Sequence, residues 1–268
     1  MIKLLMKILL MMLFIALISC NDVKDNSNDR QTQNEEQSLR ASVNRFPDSL
    51  LLKEDLIEHY RNKGNYDSAL SITNEALLHD NQNVELWDIR GVLNYENGDT
   101  LNAIKAYETL IDIYPLPEYL ISLGTMYAQT KNPKALIIAD ALVVANQAKA
   151  QREAYFIKGL YFNYLNNQQT AIRYFDSSIA MDYNYMFAYR EKAIALYGLS
   201  KFEDALKVLQ RAVTVQNNFD EGYYWMGKVY EKLDSTQKAV ENYQMALLYD
   251  KNFIEAKEAL QRLNPGKQ

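Results

Sequence analysis

The sequence predicts an all-α array of stacked helix hairpins, and three observations predict it. An alanine returns every 34 residues, at Ala69, Ala103, Ala171, Ala205 and Ala239, with Ala135 two places early in the remaining slot. A second set of small residues keeps the same interval: Gly91, Gly159, Ala193 and Gly227, with Gly124 one place early. Between these marks apolar residues recur at i, i+3/i+4 and i+7, the pattern of amphipathic helices. A fixed period of this length means identical supersecondary units stacked on one another, not a globule around one pocket.

The first 19 residues, MIKLLMKILLMMLFIALIS, form the first element. Lys3 and Lys7 precede an uncharged apolar run from Ile8 to Ile18. That run is too short for a membrane span of about 20 residues and fits the hydrophobic region of a signal peptide. It ends Leu17-Ile18-Ser19-Cys20, and Cys20 is the single cysteine of the chain. This ending resembles the lipobox of bacterial lipoproteins. The resemblance implies cleavage before Cys20, a diacylglycerol on its thiol and acylation of the new amine. Several acyl chains hold a protein stably where one, at ~0.8 kcal/mol per buried methylene, does not. Asn21 after the cysteine favours the outer membrane by the sorting rule of such lipoproteins, and its periplasmic face over the cell surface. Asp22, Lys24 and Asp25 only loosely resemble a surface-export tag. Cleavage would remove two cations and no acid. Asn21–Asn34 has one apolar residue, so residues 20–34 read as the lipidated cysteine and a disordered tether.

Residues 35–49 read as an N-terminal capping helix, because Pro47 occupies the slot that ends a repeat. Residues 50–253 divide into six frames: 50–83, 84–116, 117–151, 152–185, 186–219 and 220–253. Each holds two helices of about 14 residues joined by a short polar break. Lys63-Gly64-Asn65 and Asn97-Gly98-Asp99 show the turn composition of those breaks. The eighth residue of a frame is small although mid-helix glycine costs ~1 kcal/mol, which implies close helix approach. The recurring alanine of the second helix is expected to face it. Large residues fill slot four (Trp87, Leu120, Tyr155, Tyr189, Tyr223), slot eleven (Tyr60, Tyr127, Phe162, Leu196, Tyr230) and slot twenty-four (Tyr107, Phe175, Leu209, Tyr243). The third frame slips around Pro133, where irregular stacking is expected. Residues 254–268 read as a C-terminal capping helix and tail, with Ile254, Ala256, Ala259, Leu260 and Leu263 on its apolar side.

Trp87…Gly91…Ala103…Tyr107…Pro115 and Tyr223…Gly227…Tyr230…Ala239…Tyr243…Ala246 resemble the tetratricopeptide repeat, W-x2-L-G-x2-Y…A-x3-F…P. The resemblance implies a right-handed α-solenoid of about six helix hairpins with capping helices. It also implies a concave groove lined by the first helix of each repeat. The facing slots begin acidic: Glu54, Glu58 and Arg61, then Glu85, Asp88, Tyr95 and Glu96. They pass through Ile121, Thr125 and Gln129 to Phe156, Leu160 and Tyr164. They end in Phe187, Arg190, Ile194 and Tyr197, then Tyr224, Lys228 and Glu231. Exposed aromatics are the usual anchors of protein interfaces. The candidate partner-binding residues are therefore Tyr95, Phe156, Tyr164, Phe187, Arg190, Tyr197, Tyr224 and Lys228. The alternative is that these rings pack between repeats, or that a long solenoid closes on itself. The lysine–asparagine clamp that some family members use for C-terminal carboxylates is expected to be absent, since Glu54 and Glu58 open the groove.

Composition excludes other classes. The formal net charge is −5, and no basic run supplies the counterion release that drives binding to phosphate backbones, so no nucleic-acid partner is expected. The two histidines, His59 and His79, read as surface or capping residues and give no metal-ligand spacing. No nucleophile elbow, P-loop or dinucleotide motif occurs. The expectation is a membrane-anchored adaptor of the bacterial envelope with protein partners, without catalytic residues, metal or cofactor. Such an architecture is similar to that of tetratricopeptide lipoproteins acting as pilotins, barrel-assembly factors or hydrolase adaptors, and the sequence does not choose among them. A glycan- or solute-binding lipoprotein using the same aromatics is the alternative, and a lipid-anchored enzyme the third.

Overall fold

A computed structural model describes residues 22–144 and 148–263. Among them lie fourteen α-helices and no strand. They are α1 (Asp22–Arg45), α2 (Leu50–Asn62), α3 (Tyr66–His79), α4 (Val84–Glu96), α5 (Thr100–Ile113), α6 (Pro117–Gln129) and α7 (Lys134–Val144). There follow α8 (Ala148–Tyr164), α9 (Gln168–Met181), α10 (Met186–Gly198), α11 (Phe202–Val215), α12 (Asp220–Lys232), α13 (Thr236–Tyr249) and α14 (Ile254–Leu263). The residues expected to form the signal peptide, with Cys20, Asn21 and the tail at 264–268, lie outside the described residues. No described helix is long and apolar enough to cross a membrane.

Every hairpin turn is built the same way. The residue three past the end of each first helix donates its N–H to the carbonyl five residues back: Asn65 to Tyr60, Asp99 to Asn94, Asn132 to Tyr127, Asn167 to Phe162, Lys201 to Leu196 and Ser235 to Tyr230. This is the long bond of a Schellman cap, which satisfies carbonyls the helix end leaves open. It requires a left-handed residue in between. Gly64 and Gly98 supply it at φ 68° and 80°. Lys131, Asn166, Ser200 and Asp234 supply it without glycine, at φ 53° to 60°. A Cβ there is strained, so Ser200→Gly is expected to stabilise the chain by up to about 1 kcal/mol in urea unfolding.

The chain divides into two compact units, residues 1–103 and 104–268. In the first, Leu56, Ile57, Tyr60, Ala69 and Leu93 form a buried cluster against which Leu39 and Val43 of α1 pack. Ser49, Asn65 and Asn83 cap α2, α3 and α4 through their side-chain oxygens. Residues 22–34 are the first half of α1, not the disordered tether that composition suggests. No glycine or proline interrupts the chain between Asp22 and Phe46, so a helix anchored by Leu39 and Val43 runs back through a polar stretch.

In the second unit Ala135, Ala171, Ala205 and Ala239 are fully buried. The small eighth residue does not, however, receive the alanine. A Cβ at Gly159 would lie 2.4 Å from the ring of Phe175, and one at Gly227 would lie 2.6 Å from the ring of Tyr243. The glycine therefore makes room for the ring at slot twenty-four, four residues beyond the alanine. At Gly124 the slip shows: Ile138 of α7 and Ile157 of α8 occupy that space. α8 is long at 17 residues and is already helical at Ala148, one turn before the expected frame. α14 covers the last hairpin with Ala256 and Ala259, while Ile254 stays exposed.

Candidate functional site

The groove slots of successive first helices do meet. In the first unit Arg61 of α2 reaches Glu96 of α4, its Nε donating to Oε2 at 2.7 Å and Nη2 to the other oxygen. Nη1 donates to Glu58 at 3.2 Å. The carboxylates hold the guanidinium protonated far above its ordinary range, and Arg61 holds Glu96 below its own. Both side chains are about one-third exposed, so the pair contributes only ~0–1 kcal/mol. Its structural effect is to commit the cation. Arg61 is the one basic residue lining a cleft of about 350 Å³ shared with Glu54, Glu58, Glu85 and Asp88. Burial, then Glu85 and Asp55, push the Glu54 carboxyl up. Tyr95 is exposed at the far end of α4.

His59 departs from expectation. Its side chain is 7% exposed, and its Nδ1 lies 3.6 Å from Glu35 on α1. The ring is enclosed where α1 packs on α2, beside the Tyr60 hydroxyl that donates to Glu36 at 2.7 Å. His79 is exposed. Among the described residues no group of three or more His, Cys, Asp and Glu side chains is placed to hold a metal ion.

The remaining seven candidates lie in the second unit and separate into four kinds. Phe156 is 7% exposed and is removed from the binding surface. Tyr185, from the connection before α10, stands edge-on over it at 5.2 Å, and Phe175 lies at 5.9 Å. Tyr185 is pinned there by donating to Glu153 at 2.7 Å and by the Arg152 guanidinium 4.2 Å above its ring. Burial and the Glu153 charge push its hydroxyl far up, so it stays a donor. The position was expected to face the groove because nothing in the frame shows that the next connection folds over it.

Tyr164 and Phe187 are the exposed anchors, at 41% and 51%. Beneath Phe187, at 5.3 Å, sits the Arg190 guanidinium. Arg190 donates Nη1 to both oxygens of Glu221 on α12 at 2.6 Å and Nε to Glu191 at 3.0 Å. Burial pushes the Glu191 carboxyl up against the pull of Arg190. Arg190 is thus a strut between first helices more than a free contact.

Tyr197, Tyr224 and Lys228 are half-buried. Tyr197 stands edge-on to Phe202 at 5.4 Å and to Trp225 at 5.8 Å. Tyr224 packs on Phe253 at 4.9 Å. The Lys228 ammonium lies 4.5 Å over Trp225 and 5.6 Å over Tyr224. Trp225 was not among the sequence candidates. The available signal was its spacing: residues three and four apart share a helix face, so Trp225 and Tyr224 both neighbour Lys228. The result is a cluster of Tyr197, Tyr224, Trp225 and the Lys228 ammonium on α10 and α12, while Glu191 and Glu221 are drawn onto Arg190.

Residues 54–116 and 220–253 match the tetratricopeptide repeat, and residues 191–234 match the TPR repeat. These segments carry tetratricopeptide repeats. No curated protein matches it. Among solved structures, the array is similar to a tetratricopeptide repeat protein from Parabacteroides merdae, at 22% identity and a TM-score of 0.70, over 90% of this chain and 95% of that one. It is similar to PilW, described as a widely conserved type IV pilus biogenesis factor, at 17% identity and a TM-score of 0.58, over 78% of this chain and 97% of that one. It is also similar to a chain of the APC/C hetero-tetramer Cut9–Hcn1, at 18% identity and a TM-score of 0.54, over 86% of this chain and 46% of the other. At these identities the likeness is one of fold. Tetratricopeptide arrays mediate protein–protein interaction, and their helix hairpins serve here as the scaffold that holds the face of first helices.

Proposed function

We propose that the chain is a lipid-anchored adaptor of the bacterial envelope whose tetratricopeptide array binds a protein segment along its first helices. The observation that carries this is the face of α10 and α12, which presents exposed Phe187 at the start of α10 and, about 15 Å along the helix, Tyr197 packed on Trp225 beside the Lys228 ammonium. Rings already held by their neighbours lose little freedom on binding, which is what makes such residues interface anchors. Affinity capture with the lipidated protein, followed by mass spectrometry, tests the reading. A protein partner recovered by the wild type and lost with Lys228→Glu supports it. Saturable glycan binding with no protein partner overturns it in favour of a glycan-binding lipoprotein using the same rings.

The anchor rests on the Leu17–Cys20 ending and on the apolar run before it. Cys20→Ala is expected to abolish incorporation of radioactive fatty acid and to move the protein from the membrane fraction to the soluble one. Unchanged fractionation with no label in the wild type contradicts the anchor and leaves the binding surface untouched. The placement at the periplasmic face of the outer membrane is part of the same proposal, and protease accessibility in intact cells checks it.

A further inference from the structure

We propose that the cleft between α2 and α4 in the first unit holds a lysine or arginine side chain of the bound segment. This rests on the reading of the first helices as a protein-binding face and specifies the chemistry of the occupant there. The floor of the cleft is apolar, formed by Ile57, Ile89 and Leu93, while Glu54, Glu58 and Glu85 stand along its walls. The one cation lining it, Arg61, is turned onto Glu96 and Glu58. Glu54 Oε1 is buried with no hydrogen-bond partner. A buried unpaired acceptor costs the full desolvation of that group, and here like charges on Glu85 and Asp55 add to it. A cleft that is apolar below and acidic above matches a side chain with a methylene stem and a cationic head. A bare divalent ion is a poorer match, because the carboxylates are spread along two helices and no group of three converges to hold one. The opposite arrangement, a basic cleft for a carboxylate, is excluded on this face by the same charges.

The test uses the full chain and two fluorescent peptides of equal length, one alternating leucine with lysine and one alternating leucine with glutamine, titrated by anisotropy at physiological salt. The lysine peptide is expected to bind about tenfold more tightly than the glutamine peptide, and Glu54→Gln with Glu85→Gln to remove most of that difference. Asp67→Asn with Glu75→Gln takes the same charge from α3 and is expected to leave binding within about twofold. Circular dichroism confirms that each variant is helical, and Glu54→Gln alone serves where the double variant is not. Equal binding of the two peptides, or an equal loss from the α3 variant, overturns the proposal. A natural partner that needs Phe187 but binds the Glu54/Glu85 variant normally overturns it while leaving the protein-binding reading standing.

Discussion

Gly159→Ala will destabilise the second unit by about 1–2 kcal/mol, although alanine is the better helix former by ~1 kcal/mol. The reason is the Phe175 ring, which would lie 2.4 Å from the new methyl and is itself fully buried against Phe156. Overpacking of a closed core costs ~1–3 kcal/mol, and a contact this short belongs at the upper end. In a Phe175→Leu background the space opens, and the same Gly159→Ala change will be neutral or stabilising by up to ~1 kcal/mol. The sign reversal in a double-mutant cycle, read by urea unfolding, isolates the pair. Gly64 makes the contrast. No atom lies within 4 Å of a Cβ there, yet its φ is 68°, so Gly64→Ala costs ~1 kcal/mol through the backbone alone and couples to no ring. Stabilisation by Gly159→Ala in the wild type would remove the account of why slot eight is small.

The second expected result concerns binding. Tyr164→Ala with Phe187→Ala is expected to leave helical content and unfolding midpoint nearly unchanged, because both rings are substantially exposed. Loss of two aromatic anchors should weaken capture of the partner by about 30-fold or more, the effect of ~2 kcal/mol at an interface centre. Phe156→Ala should do the opposite. It leaves a cavity beneath Tyr185 and beside Phe175, costing about 3–5 kcal/mol of stability. Any binding loss from Phe156→Ala therefore tracks unfolding, and isothermal titration at matched folded fraction separates the two.

The helix hairpins were legible because a burial pattern repeated every 34 residues averages over local noise. Ala69, Ala103, Ala171, Ala205 and Ala239 are all completely buried, as their beat requires. What the alanines touch was not legible. Periodicity places residues on a face but does not say which ring of the partner helix lies over a glycine, so Phe175 and Tyr243 were seen only in three dimensions. The hairpin turns were read as a polar break in every frame, Thr130–Pro133 and Leu199–Lys201 among them; what composition did not show is that Lys131 and Ser200 hold the same left-handed turn as Gly64 and Gly98, at a cost in strain. At the candidate site, exposed Tyr95, Tyr164 and Phe187 follow the expected slots. Phe156 fails because a residue 29 positions later, Tyr185, folds over it. His59 fails for the same kind of reason, since its neighbour is Glu35 on a helix outside its own frame. Slot rules describe a hairpin and its own register; they are blind to what the connections and caps lay on top.

The central claim is that the first helices of the second unit, and not their second helices, carry the partner. Site-specific photo-crosslinking in the native cell tests it most directly, with benzoylphenylalanine placed at Phe187 on α10 or at Leu248 on α13. Both side chains are exposed, so neither replacement disturbs a core. The account predicts a discrete protein adduct from position 187, absent at position 248 and lost when Lys228→Glu is added. Adducts of equal yield from both positions, or from position 248 alone, would contradict it.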